Sequence, residues 1–89
     1  MSRIKLAGNE IPLPTTAGVA TNFDRAPGVR LVNTVAGNAT VTILESVGGA
    51  GIGTFTILGN STEYIAKNND HVVYADAATV LGAPVGFVG

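Results

Sequence analysis

The side chains that could do chemistry in this chain are few and widely spaced. His71 is the only histidine. A catalytic set of serine, histidine and aspartate would need Ser2, Ser46 or Ser61 to meet it, and no serine has the flanking pattern of a nucleophile elbow. Zinc requires three or four ligands at suitable spacing, which one histidine and scattered carboxylates do not supply. The sequence therefore predicts no catalytic residue, no metal site and no enzymatic activity.

Two segments share composition with ligand-binding loops. Asn68-Asn69-Asp70 could lend oxygens to a cation, but turns use the same residues because their side chains hydrogen-bond the local backbone. The glycines of 48–53 suggest a phosphate loop, but such a loop needs a helix directly after it. The β-branched and aromatic run TFTIL follows instead. We interpret these segments as a turn and a flexible connection, and predict no cofactor.

The charge distribution argues against nucleic acid and membrane partners. Five basic residues are spread along the chain and balanced by six acidic ones, so no basic patch is predicted. No apolar stretch approaches the roughly 18 residues of a membrane helix. The basic start, Met1 to Leu6, is not followed by the apolar run of a signal peptide. These features predict a protein of an aqueous compartment.

The surface predicted from the composition has unusually little charge. Only 12% of the residues are charged, about half the usual ~25%. Freely diffusing proteins normally cover their surface with mixed charge. A surface of threonine, asparagine, alanine and glycine is tolerated where copies or a partner cover it. The composition favours a component of an assembly, with a sparingly charged monomer as the alternative.

The elements that must position these residues are short strands. The 89 residues allow one domain, and without cysteine no disulfide can strengthen its core. Alternating apolar and polar residues recur every ~8–12 residues between Gly, Asn and Pro turns. This pattern predicts an all-β fold, a small antiparallel β-sandwich or partly open barrel of about seven strands. Residues 1–28 would be an extended N-terminal arm or edge strand, and residues 29–89 the sandwich body.

Local patterns also predict how the strands pair. Val29–Val35 and Thr40–Val47 flank Gly37-Asn38 and are predicted to form a β-hairpin. The three runs of Thr54–Ala75 are predicted to form an antiparallel meander, with Lys67 pairing with Asp70 across its second turn.

Prolines indicate where the sheets should end. Ile11-Pro12-Leu13-Pro14 is predicted to be a sheet edge, an extended arm or a docking segment, because proline lacks a ladder donor. Pro84 likewise predicts that the last strand lies at an edge or carries a bulge.

Four short motifs lie along the second part of the chain. They are Val29-Arg30-Leu31-Val32-Asn33-Thr34, Gly53-Thr54-Phe55-Thr56-Ile57-Leu58, Tyr64-Ile65-Ala66-Lys67-Asn68-Asn69-Asp70 and Pro84-Val85-Gly86-Phe87-Val88. Together they resemble small virion proteins of tailed bacteriophages, notably those that infect cyanobacteria. The similarity spans Val29 to Val88. It implies a β-sandwich that binds a capsid or tail surface in many copies, without catalytic residues.

The functional hypothesis is a non-enzymatic structural protein of the phage particle, assembled in the host cytoplasm. A capsid decoration (cement) protein is expected first, forming a homo-oligomer or bound to the lattice of the major capsid protein. A tail or neck component is the alternative in the same class. A small carbohydrate-binding or host-surface-binding β-domain is the alternative from another class. The predicted partner contacts are Ile11, Leu13, Gly49, Ala50, Gly51 and Ile52.

Overall fold

The computed structural model describes residues 3–88, and side chains within 6–86. Eight strands and one short 3-10 turn (Ala17–Val19) make up its regular structure, so the all-β prediction is confirmed. The strands are β1 (Arg3–Leu6), β2 (Ile11–Pro12), β3 (Gly28–Asn33), β4 (Ala39–Leu44), β5 (Gly51–Ile57), β6 (Thr62–Ala66), β7 (Val72–Ala75) and β8 (Val80–Val88).

The strands form two antiparallel sheets. The first sheet has the order β1-β8-β3-β6, with β2 also paired to β8. The second sheet has the order β5-β4-β7. The two sheets pack together and do not close into a barrel, so the sandwich alternative describes the fold.

One apolar core fills the space between the sheets. Val29 and Leu31 of β3 are fully buried, as their alternation predicts, and they meet Val41, Ile57 and Val73 of the second sheet. A second, smaller cluster is formed by Ala20, Leu44 and Val72. It lies where the 3-10 turn meets β7.

The N-terminal segment, residues 1–28, joins the sandwich in its described part. β1 is the edge strand of the first sheet. Between β2 and β3, the chain places Leu13, Phe23 and Ala26 in the main core, at 2%, 4% and 6% exposure.

β8 lies inside the first sheet, which makes the predicted edge position of this proline-containing strand wrong. It pairs with β3 on one side and with β1 and β2 on the other. The Pro84 carbonyl accepts a bond from the Ala7 N–H at 2.9 Å. Since the N–H and C=O positions of a strand residue face the same neighbour, the missing donor faces the gap between β1 and β2. The β3 ladder therefore loses no hydrogen bond.

The predicted hairpin between β3 and β4 is also wrong. β3 pairs with β6 and β8, whereas β4 pairs with β5 and β7 in the other sheet. The connection between them crosses the sandwich because the fully buried Asn33 fixes a corner there. Its amide donates to the carbonyls of Gly37 (2.7 Å) and Ile57 (3.4 Å). The true hairpin is β4–β5, which runs through the glycine segment predicted to be a flexible connection.

The predicted meander is also wrong, because its three strands are divided between the two sheets. β5 and β7 flank β4 in the second sheet, while β6 lies in the first. The connection from β5 to β6 packs directly on the one from β3 to β4: a Cβ added at Gly59 would collide with the backbone of Ala36. The Asn60 N–H donates to the Val35 carbonyl at 2.9 Å. Alternation identified strands correctly, but these long-range contacts determine their partners.

The predicted pair between Lys67 and Asp70 is replaced by other contacts. Asp70 forms an exposed ion pair with Arg25, with Nη1 and Oδ1 2.6 Å apart. The Lys67 ammonium donates to the carbonyls of Asn68 (3.3 Å) and Asn69 (3.4 Å). Partial burial lowers the pKa of Lys67 below its ordinary value, and the charge of Asp70 opposes this shift.

Candidate interaction surface

The six predicted contact residues fall in three different environments. Leu13 is 2% exposed in the core, so its side chain is not presented to a partner. Ile11 is 41% exposed on β2, at the margin of the first sheet. Gly49, Ala50, Gly51 and Ile52 lie together at the β4–β5 hairpin of the second sheet, where Ile52 is 54% exposed. The structure groups the last four and separates them from Ile11.

The hairpin leads into the open edge of the second sheet. β5 pairs only with β4. The opposite edge, β7, is covered: Val73 exchanges backbone hydrogen bonds with Thr21 at 2.8 and 3.2 Å, and the Ala75 N–H donates to the Pro14 carbonyl. Among described strands of this sheet, β5 is therefore the one whose outer backbone groups have no strand beside them.

The hydrogen bonds of β4 show which β5 residues face outward. Both backbone groups of Thr40 bond to Asp76 on the β7 side, each at 3.0 Å. Since the bonding direction alternates along a strand, Val41 bonds toward β5, where its partner is Phe55. Thr54 and Thr56, the neighbours of Phe55, must then direct their N–H and C=O groups away from β4. This edge offers a second strand donors and acceptors in regular alternation.

The outer face of β4 and β5 is rich in hydroxyl groups and lacks charge. Thr40 lies opposite Thr56, and Thr42 lies opposite Thr54. No charged residue occurs between Glu45 and Glu63 in the sequence. The part of the surface that lacks charged side chains is therefore centred on β5.

Two exposed aliphatic side chains lie at the ends of this edge. Ile52 is 54% exposed near its start, and Leu58, directly after β5, is 60% exposed. Natural edge strands are usually protected by charged side chains, proline or bulges. β5 carries neither charge nor proline. Its one irregularity is a bulge at Ile52, since Ile43 lies opposite Gly53 and Leu44 lies opposite Gly51. We call the open side of Ile52–Leu58 the β5 edge.

Thr54, Thr56 and Leu58 were not among the residues predicted from the sequence to contact a partner. Their signal was present in the alternation of Ile52, Thr54, Thr56 and Leu58 within an uncharged segment. The segment was predicted to be the first strand of a meander, paired with the run that follows it in the sequence. The structure shows that β5 pairs with β4 and with no other described strand, so its second side is open.

A separate cleft lies beside the gap between β1 and β2, with a volume of about 300 Å³. Its wall includes a turn in which Phe23, Asp24 and Arg25 all have positive φ angles. Asparagine and aspartate side chains line it together with apolar groups. The lining residues are Gly8, Asn9, Ile11, Thr21, Phe23, Asp24 and Pro84.

His71, the one histidine of the chain, is not among the residues that line this cleft. His71 contacts the Asn68 amide, with 3.5 Å between Nε2 and Nδ2. Within the described part of the chain, no three His, Asp or Glu side chains are grouped to hold a metal ion. The described residues also contain no helix long and apolar enough to cross a membrane.

Comparison with protein-family models, curated proteins and solved structures finds no match to this chain.

Proposed function

We propose that this chain is a non-enzymatic structural protein of a tailed-bacteriophage particle, a capsid decoration protein that docks in many copies on the major capsid lattice. The observation that carries the proposal is the uncharged outer surface of β4 and β5, with its open strand edge and the exposed Ile52 and Leu58. A surface of this kind suits permanent contact with another protein better than exposure to solvent.

The mechanism follows from small contacts repeated many times. Threonine hydroxyls and free backbone groups can bond to a protein surface without the cost of burying charge. A net charge of −1 allows copies to lie close together with little mutual repulsion. Each contact is modest, but engagement of several sites by one assembly multiplies the effective affinity. Copies bridging capsomer boundaries would resist the outward pressure of packaged DNA.

The resemblance of the segment Val29–Val88 to small virion proteins supports the phage setting. The experiment is to purify particles of the phage that encodes the chain, fractionate them, and measure its copy number by mass spectrometry. Hundreds of copies, released under conditions that strip the capsid surface, would support decoration. A few copies to a few tens, retained with tails, would favour a tail or neck component. Absence from the particle would refute the structural role.

A carbohydrate-binding or host-surface-binding domain is the second candidate, favoured by one observation. The cleft beside Pro84 combines the Asn9 amide and the Asp24 carboxylate with apolar walls. A glycan array tests this candidate. Binding that is lost in Asn9→Ala and Asp24→Ala, with unchanged binding in Asn69→Ala, whose residue does not line the cleft, would support it. A blank array would count against it.

A further inference from the structure

We infer that the β5 edge pairs with the β5 edge of a second copy, antiparallel and with two-fold symmetry about Phe55, to join two three-stranded sheets into one. This inference deepens the proposed assembly role, on which its biological setting rests. The residue pattern of the edge indicates that the partner is an identical copy.

The side chains on the outer face of this edge have a symmetric order. Ile52, Thr54, Thr56 and Leu58 alternate along it, so that aliphatic residues lie at both ends and threonines at the centre. In an antiparallel pair centred on Phe55, Ile52 lies opposite Leu58 of the second copy, and Thr54 lies opposite Thr56. By symmetry, each of these matches occurs twice. Both exposed aliphatic side chains of each copy would thereby bury the sides that face each other.

The free backbone groups fit the same register. Thr54 and Thr56 direct their N–H and C=O groups outward, as derived from the bonds of Thr40 to Asp76. Opposed to each other across the interface, they become hydrogen-bonded pairs, each of which exchanges two bonds. The two pairs supply about four backbone hydrogen bonds between the copies.

The core side of the edge is also compatible with this pairing. Phe55 is half-buried and packs on the main core. At the symmetry centre it lies opposite Phe55 of the second copy, in a non-hydrogen-bonded pair whose side chains approach closely. Each ring would cover the exposed part of the other, and aromatic pairs across strands are favourable.

Electrostatics also permit a second copy of this chain as the occupant. A partner strand bearing charge would place it against an edge that offers no counter-ion, because no charged residue lies between Glu45 and Glu63. The edge of an identical copy brings no charge. Paired copies would continue the threonine face of β4 and β5 across both molecules, doubling the uncharged surface available to a lattice.

The test is the oligomeric state of the purified full chain, measured by sedimentation velocity from about 1 μM to about 1 mM. We expect a monomer–dimer equilibrium. Thr54→Pro removes an outward N–H and should raise the dimer dissociation constant at least about tenfold. Thr54→Val keeps the N–H and the β-branched shape, and should leave the constant within about threefold.

A charge pair tests the register and does not depend on proline being tolerated. Ile52→Lys alone and Leu58→Glu alone should each weaken dimerisation at least about tenfold, because each charge would face an aliphatic side chain. The double variant places each lysine opposite a glutamate of the other copy and should recover most of the loss. Both residues are exposed, so the fold should tolerate the changes, as circular dichroism can verify.

Two outcomes would overturn the inference. One is a wild-type chain that stays monomeric at every concentration, which would be the result if the edge accepts a strand of a different protein. The other is a dimer that these variants leave unchanged, which would place the interface elsewhere. Because these measurements use the isolated chain, they are independent of the particle fractionation that tests the proposed function.

Discussion

At the scale of single residues, Asn33 has the largest structural role that the sequence did not reveal. It is the one buried polar residue in the described chain, at 0% exposure. Its amide serves the carbonyls of Gly37 and Ile57, and its own oxygen accepts from the Thr79 hydroxyl at 3.4 Å. These contacts hold the corner where the chain passes from one sheet to the other. An asparagine at the end of a strand gives no sign in the sequence that it will be enclosed.

Replacing Asn33 should destabilise the fold strongly. Asn33→Ala removes the donor to the buried Ile57 carbonyl and to the partly buried Gly37 carbonyl, and leaves a cavity. We expect a loss of about 2–4 kcal/mol in the free energy of unfolding. Urea denaturation followed by circular dichroism measures it. Asn69→Ala, the same change on an exposed turn, should stay within about 0.5 kcal/mol. Similar losses in both variants would show that Asn33 does not hold the corner.

Lys67 provides a test based on pH. Burial lowers its pKa in the folded chain below the ordinary lysine value of 10.5. Above the folded pKa the native state therefore binds fewer protons than the unfolded state, and stability rises with pH until the unfolded lysine also titrates. At neutral pH the buried charge disfavours folding. The effect should be below about 1 kcal/mol, because the side chain is only partly buried.

The measurement compares the unfolding free energy of wild type and Lys67→Gln between neutral pH and pH about 11. The difference, wild type minus variant, should increase through the window below 10.5, the pKa of an unperturbed lysine. Subtracting the variant cancels the contribution of every other group, because the two chains differ at this residue alone. A difference that stays flat or falls would contradict the lowered pKa.

At the scale of elements, alternation in the sequence was sufficient to locate strands and their inward faces. Alternation predicts that Val29, Leu31 and Val35 share one face. Val29 and Leu31 are buried, whereas Val35, beyond the end of β3, is 42% exposed. Pairing could not be read in the same way, because each proposed turn connects different sheets. Gly37-Asn38 looks like a hairpin turn, and only the contacts of Asn33 and Gly59 with distant residues show that it is a crossing. For the same reason, the predicted contacts include four residues of the β4–β5 hairpin but not the open strand edge that adjoins them.

The crossing itself can be tested at Gly59. Gly59→Ala adds a Cβ that would collide with the backbone of Ala36, which cannot move without disturbing the β3–β4 connection. We expect a loss of more than about 2 kcal/mol in the free energy of unfolding. Gly37→Ala has open space around its Cβ and should be neutral or stabilise by up to about 1 kcal/mol. Chemical denaturation of both variants measures the difference. Equal tolerance would show that the two connections are not in close contact.

At the scale of the whole molecule, the sandwich is small, so we expect its free energy of unfolding to be small. The accessible surface of 4828 Å² is close to the ~4,900 Å² expected for a compact chain of this mass. Disulfides are absent, because the sequence has no cysteine. In a domain of this size, association is one of the few remaining sources of stability. The pairing of β5 edges proposed above would therefore link the stability of the chain to its assembly.

This link predicts that thermal stability depends on protein concentration. If only folded chains pair through β5, mass action stabilises the native state as concentration rises above the dimer dissociation constant. Each tenfold increase should then favour the folded dimer by about 1.4 kcal/mol and raise the melting temperature by several degrees. Scanning calorimetry across two decades of concentration measures this. Ile52→Lys should show this rise only at concentrations at least about tenfold higher, since its pairing is weakened while its exposed position leaves the fold intact. A wild-type melting temperature that does not change with concentration would show that pairing through β5 does not stabilise the folded chain.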